Sequence, residues 1–232
     1  LICFKGFNNY NEIENWKNIL KFDFIEFFEK SEKNDFDIGS YYRIAEYYPD
    51  NLILFLDTHT RMNCDNWLKI FLDNYSDKRL LGSTGSYASI TSQFFGFYYL
   101  QHSKIQQLWW GLHHLKNFQL FPNPHIRTTG FLLKGSELLE LNFKREKFIR
   151  KIDTNYFESG RKNITKQLQK KGYKIGIVNA DNVFFSVEDW KKSNTYCLNK
   201  QDKLVFKDNR TDEFERSSPE MKKKMSKFCW GM

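Results

Sequence analysis

Residues 51–68, NLILFLDTHTRMNCDNWL, constrain the fold more than any other stretch of this chain. Leu52-Ile53-Leu54-Phe55-Leu56 has the length and the lack of alternation of a strand buried on both faces. It stops abruptly at Asp57-Thr58-His59. In extended backbone, residues i and i+2 project to the same side, so Asp57 and His59 are expected to hold one divalent cation between them. Ligands of open α/β sheets bind at the carboxyl ends of strands, which is where this pair falls.

The surrounding pattern alternates strand and helix. LICFKGF at the start reads as a strand, and residues 12–30 as an amphipathic helix with Ile13, Trp16, Ile19 and Leu20 near helical spacing. Residues 31–37 read as a charged loop, and YYRIAEYY as a helix ending before Pro49. Asp65 or Asn66 caps a helix beginning near Trp67. Leu80-Leu81-Gly82 ends a strand, residues 83–92 form a polar loop, and 94–118 are helical and rich in aromatics. Pro122 and Pro124 remove amide donors and require a loop. A strand over 126–133, a short helix over 135–141, a helix over 165–171 stopped by Gly172 and a strand over 173–178 complete the pattern. Beyond Trp190 the chain is polar and poorly periodic. The expected class is α/β, with a core over 1–190 and a C-terminal extension over 191–232 that packs on it.

With 41% hydrophobic residues, 23 Phe and 12 Tyr, the chain has material for a packed core rather than a disordered segment. Leu1 in place of Met predicts a piece of a longer protein. The four cysteines are widely spaced and lack zinc-ligand spacing, which points to free thiols in a reducing compartment. A net charge of +8 fits either a solvated basic surface or attraction to an anionic partner such as a membrane face or a phosphorylated small molecule. No basic helix interleaved with aromatics occurs, so nucleic acid is not the expected partner. Neither a dinucleotide GxGxxG fingerprint nor a GxxxxGK[ST] phosphate loop is present.

Three short constellations carry the candidate chemistry, and each has a plain structural alternative. Asp57-Thr58-His59 offers oxygen and imidazole ligands, suited to Mn2+ or Mg2+; alternatively Asp57 caps the amides of a turn and His59 is simply exposed. In Phe157-Glu158-Ser159-Gly160-Arg161, Glu158 is a candidate general base; alternatively it favours a helix N-terminus. In Asn123-Pro124-His125-Ile126-Arg127-Thr128-Thr129-Gly130, Arg127 suits bidentate binding of a diphosphate; alternatively this is a structured loop in which Arg127 pairs with a surface acid. The aromatics Tyr41, Trp109 and Trp110 suit stacking on sugar or base, or core packing.

In their order along the chain these motifs resemble the GT-A type of nucleotide-sugar glycosyltransferase, in the broad family 2 class. FLDTHTRMNCDNWL is similar to that superfamily's DxD segment in its DxH variant. FESGRKNITKQLQKKG resembles the acid-led helix ending in Gly, and HIRTTGFLLKG the strand and loop bordering the acceptor site. DIGSY, residues 37–41, is similar to the segment before the DxD strand in bacterial polysaccharide-assembly transferases, including the rhamnan-synthesis type. The resemblance covers roughly residues 30–185. Two departures stand out: Ser159 replaces the second acid of the acid-led helix, and the first strand lacks a PxYN signature.

The resemblance implies a three-layer GT-A sandwich with a mostly parallel central sheet. It implies metal-dependent, inverting transfer from a nucleotide-diphosphate sugar to a glycan or lipid-linked acceptor in bacterial surface polysaccharide assembly. Asp57, His59 and His125 would hold Mn2+ or Mg2+, and Glu158 would be the base. Asp37, Gly39, Ser40, Arg127, Thr129 and Arg161 would bind donor or acceptor. The implied location is cytoplasmic, at the inner face of the membrane, with peripheral membrane association. Two rival readings are a non-catalytic GT-A-like scaffolding or carbohydrate-binding module, and a metal-dependent hydrolase, for which no paired carboxylates are evident.

Overall fold

A computed structural model describes residues 1–7, 9–17, 19–20, 23–29, 35–96, 102–144 and 148–231. The strands are β1 (Ile2–Lys5), β2 (Glu26–Glu29), β3 (Leu52–Leu56), β4 (Arg61–Met62), β5 (Arg79–Gly82), β6 (Gly85–Ser86), β7 (His125–Ile126), β8 (Gly130–Lys134), β9 (Lys174–Val178), β10 (Phe184–Ser186) and β11 (Phe206–Lys207). The helices are α1 (Asn11–Lys17), α2 (Phe36–Tyr47), α3 (Trp67–Asn74), α4 (Ile90–Phe95), α5 (Lys104–Leu115), α6 (Gly135–Leu139), α7 (Lys151–Ser159), α8 (Ile164–Lys170), α9 (Asn209–Arg216) and α10 (Pro219–Trp230).

The fold is α/β around a five-stranded mixed sheet ordered β10-β9-β5-β8-β3. β8 runs antiparallel to both neighbours, with Leu56 opposite Gly130 and Gly82 opposite Phe131. β5 and β9 are parallel, and β10 is antiparallel to β9. The expected mostly parallel sheet is therefore corrected. β3, β5 and β9 share a direction, but β8 turns back into the slot between β3 and β5. Its Gly130-Phe131-Leu132-Leu133 run is buried throughout. Unbroken apolarity reports burial on both faces and is silent on strand direction.

Both faces of the sheet are covered, and the period of two sorts its side chains between them. Phe55, Leu80, Phe131, Leu133, Ile175 and Ile177 face α2, α6, α7, α8 and the end of α10. Leu81, Leu132 and Val178, with the half-buried Leu52, Leu54 and Leu56, face Ile70 and Phe71 of α3 and Val205 and Phe206. The Phe206 ring stacks on Phe71 at 5.6 Å. It also explains Gly130: a Cβ there would lie 2.7 Å from the Phe206 ring.

Residues 191–232 contribute to both of these cores, Trp230 and Leu198 to one and Val205 and Phe206 to the other. Two well-capped helices lie in this stretch, which the sequence presented as poorly periodic. Asp208 caps α9, and Ser218 caps α10 with Pro219 in its first turn.

Other expectations also shift. The helix expected over 12–30 is α1 followed by β2, because Glu26-Phe27-Phe28-Glu29 pairs in parallel with β1. Residues 18, 21, 22 and 30–34 of that stretch and its following loop lie outside the described residues. The helix expected over 94–118 is α4 and α5, with residues 97–101 outside the described residues.

Candidate functional site

Because β3, β5 and β9 share a direction, their carboxyl ends meet the amino end of β8 at one sheet edge. Residues 57–60 follow β3, Ser83 follows β5 and donates its amide to Gly130 O, and Thr129 precedes β8. The segment after Gln201 crosses the same edge. Lys203 O accepts from the Ala180 amide, Val205 O accepts from the Asn63 amide, and β11 pairs with β4. This crossing delivers Asp208 to the edge.

Asp208 is buried and fully engaged. Its Oδ2 accepts from Arg127 Nη2 (2.9 Å) and Thr129 Oγ1 (2.6 Å), and its Oδ1 caps α9 by accepting from the Thr211 amide (2.8 Å). Burial works to raise its pKa. The Arg127 charge, the Thr129 hydroxyl and the Thr211 amide outweigh burial and hold the carboxyl below the ordinary carboxylate range. Arg127 is buried too, and its guanidinium lies 3.7 Å from the centre of the Tyr196 ring. Burial opposes its charge, but Asp208 outweighs that effect and raises its pKa. Arg127 thus pairs with an acid, but with a buried one 81 residues away rather than with the surface acid of the structural alternative.

Asp57 lies a few ångströms of hydrogen-bond chain from this pair and is in the opposite state. Thr60 Oγ1 donates to Thr129 O at 2.6 Å, with Asp57 Oδ1 at 3.1 Å. Asp57 Oδ1 also accepts from the His59 amide at 2.7 Å, and the Thr60 amide bonds to Asp57 O. Residues 57–60 are therefore a turn, and the same-side argument for extended backbone does not apply to them. His59 is exposed on that turn. Burial raises the Asp57 pKa first of all. Asp208 and Asp37 raise it further, against the lowering by the His59 amide and Thr60.

Tyr41 marks where the other acids converge. Its ring packs on Phe55 (5.1 Å) and Phe131 (5.8 Å), which assigns it to the core rather than to stacking on a ligand. Its hydroxyl is buried and makes no hydrogen bond among the described residues. Burial raises the Tyr41 pKa well above its ordinary value, and the charges of Asp37, Asp57 and Glu158 add to the shift. Asp37, in the first turn of α2, accepts from Thr58 Oγ1 at 2.9 Å. Glu158 lies in the last turn of α7 rather than ahead of a helix, and its Oε1 accepts from the Thr128 amide at 3.1 Å. A water-sized cavity of about 30 Å³ borders Tyr41, Asp37, Thr128 and Glu158. Tyr41 also lines a cleft of about 1710 Å³, shared with Asp57, Thr58 and Asp37, between the free edge of β3 and the β1–β2 unit.

The remaining candidates have structural employment. Ser40 donates to the buried Glu29 at 2.6 Å, and Glu29 pairs with Arg43. Asp35 accepts from Lys5 and from both terminal nitrogens of Arg43. Gly39 sits against that acid, where a Cβ would fall 2.0 Å from the Asp35 carboxyl carbon. Arg161 donates from Nε and Nη2 to Leu115 O and so caps the end of α5.

His125 is buried, with Nδ1 2.7 Å from Asn123 O. A carbonyl only accepts, so Nδ1 carries the proton and the lone pair is on Nε2. Burial lowers its pKa, against the opposing pull of Glu158. Among the described residues, no three His, Cys, Asp or Glu side chains form a group arranged to hold a metal ion.

Two members of this constellation, Asp208 and the Tyr41 hydroxyl, were not candidates from sequence. The Asp208-Asn209-Arg210-Thr211 stretch does carry a helix-cap signal. That signal locates a helix start and says nothing of Arg127. No family model matches this chain, and neither the curated proteins nor the solved structures yield a match to it.

Proposed function

We propose that this chain is a GT-A-type nucleotide-sugar transferase. In this reading it moves a sugar, with inversion, from a nucleotide-diphosphate sugar to a glycan or lipid-linked acceptor in bacterial surface polysaccharide assembly. The observation that carries the reading is the convergence of Asp37, Asp57 and Glu158 on the unpartnered Tyr41 hydroxyl, with Asp37, Asp57 and Tyr41 bordering a large cleft along the free edge of β3. The α/β sheet with both faces covered supports the fold half of the proposal.

The chemistry of the donor set fits a divalent cation. Asp57 is half-buried among carboxylates that raise its pKa, so its ionised form lacks a counter-charge. The two hydrogen bonds that its side chain accepts both fall on Oδ1. Asp57 would hold Mn2+ or Mg2+, with His59 on the same turn and Asp37 across the Thr58 hydroxyl. Such an ion supplies neutralisation of charge on a departing nucleotide diphosphate. Glu158, with one oxygen fixed by the Thr128 amide, would take the proton of the acceptor hydroxyl. The acceptor oxygen then bonds to the anomeric carbon as the bond from that carbon to the phosphate oxygen breaks.

The test is a melting-temperature panel of UDP-, GDP-, CMP- and dTDP-sugars with and without Mn2+. One donor should raise the melting temperature only with metal, and Asp57→Asn should abolish that increment without lowering the metal-free value. Glu158→Gln should lower turnover by about 10²-fold or more with donor binding retained. The reading fails if no nucleotide sugar shifts melting in the presence of the metal.

A second reading, a non-catalytic carbohydrate-binding or scaffolding module, draws on the two arginines. Arg127 is buried with Nη2 on Asp208, and Arg161 is turned to Leu115 O through Nε and Nη2, so neither presents its paired guanidinium face to a diphosphate. Binding of oligosaccharide that ignores both metal and nucleotide is the outcome that favours it.

A further inference from the structure

Helix α5 presents its faces the wrong way round for a helix of a water-soluble core. Its buried residues are Gln107, Gly111 and His114. Gln107 donates to His102 O, Gly111 lies against the Phe95 ring, and His114 stacks on Phe94 at 5.3 Å. The opposite face carries Ile105, Leu108, Trp109 and Leu112, spaced i, i+3, i+4 and i+7, with 82%, 49%, 58% and 59% of their surface exposed. Trp110 flanks the stripe, its ring 4.9 Å from that of Trp109. A contiguous patch of this kind marks an interaction surface.

Charge identifies the partner. Between Asp77 and Glu137 the sequence has no Asp or Glu over 59 residues, although the chain has 28 acids in all. Exposed Lys104 and Lys116 bracket α5, and Arg161 sits on its last carbonyl. A second copy of the chain would bring these cations against one another. A negatively charged lipid surface would meet them with opposite charge and receive the Trp and Leu side chains below it. The helix is about 18 Å long at the usual rise, against an apolar bilayer core of about 30 Å, so it would lie in the interface plane. No helix among the described residues is long and apolar enough to cross a membrane.

We propose that the exposed face of α5, with its rim of Lys104, Lys116 and Arg161, docks this protein onto an anionic phospholipid bilayer. The proposal stands independently of sugar transfer, since it uses none of the residues at the sheet edge. It is tested by co-sedimentation of the 232-residue chain with phosphatidylcholine vesicles, with and without roughly 30% phosphatidylglycerol. Binding should require phosphatidylglycerol, weaken as salt is raised, and shift tryptophan emission to the blue. Ile105→Ser/Trp109→Ser should weaken partitioning by about tenfold or more, with circular dichroism unchanged. Lys104→Gln/Lys116→Gln should weaken it less and reduce the salt dependence. Absence of binding to either vesicle, or equal binding by the wild type and the Ile105/Trp109 variant, overturns the proposal. So does self-association in sedimentation velocity that the same variant abolishes without any vesicle binding, because the face would then belong to a second copy.

Discussion

Two half-buried to buried aspartates share one sheet edge and differ in nearly everything else. Asp208 has an arginine, a hydroxyl and an amide, and its carboxyl is held below the ordinary range. Asp57 has a turn amide and one shared hydroxyl, faces Asp208 and Asp37, and is raised above that range. Both charges are at least partly withdrawn from water, but only one is compensated within the fold. Compensated buried charge is architecture: Arg127–Asp208 ties the strand before β8 to the C-terminal segment. Uncompensated charge beside a cleft is costly to keep, and the cost has a rationale when a ligand completes the site.

The most severe way to break the comparison is to strip Asp208 of its partner. Arg127→Met leaves a buried carboxylate facing Thr129 and Thr211 alone. Loss of one member of a buried pair costs about 3–5 kcal/mol, read as a fall in the urea unfolding free energy. Adding Asp208→Asn should recover part of that loss, since the orphaned charge is then gone. A single-variant cost under about 1 kcal/mol would show that the pair behaves like a surface salt bridge and ties nothing together.

A milder test sets the two acids against pH. Asp208 is depressed in the folded state, so its contribution is present above the unfolded carboxylate pKa of about 3.9 and is lost as pH falls through its folded value. Asp57 is raised, so the folded chain takes up its proton before the unfolded chain does. Its ionised form destabilises at neutral pH, and that penalty fades as pH falls through the raised value toward about 3.9. Asp57→Asn keeps an acceptor for the His59 amide and Thr60. At pH 7 it should match the wild type or exceed it by up to about 1 kcal/mol, with the advantage gone near pH 4. A destabilised Asp57→Asn at neutral pH would mean that the charge is compensated after all, and the contrast with Asp208 would collapse.

What the sequence made legible follows the same divide between local and distant. β3 and β9 were readable because each is an apolar run with turn residues after it, and α8 because Gly172 stops it at a left-handed position. Direction was not readable in β8, since a strand buried on both faces has the same composition whichever way it runs. Glu26–Glu29 was hidden inside a helical pattern that fails after Lys17. At the site, Asp57, Asp37 and Glu158 were picked out by their places in short motifs. Asp208 could not be, because its partners Arg127 and Thr129 are 81 and 79 residues away and only the fold joins them. The Tyr41 hydroxyl was invisible for a different reason: its ring fits the helical core pattern, and nothing in that pattern says that its oxygen faces acids.

That hydroxyl supplies the smallest effect and the finest discrimination. Tyr41→Phe preserves the ring contacts with Phe55 and Phe131 and deletes only an oxygen that makes no hydrogen bond among the described residues. A buried hydroxyl without a partner costs about 1–3 kcal/mol to desolvate, so the variant should be as stable as the wild type or up to about 1 kcal/mol more so. Asp208→Asn, which removes charge from a filled site, should move the other way. The pair of variants therefore separates valences closed by the fold from a buried valence that the fold leaves unfilled. If Tyr41→Phe instead loses about 1 kcal/mol or more, the hydroxyl already has its partner in the free protein, and the open end of the comparison must be sought at Asp57 alone.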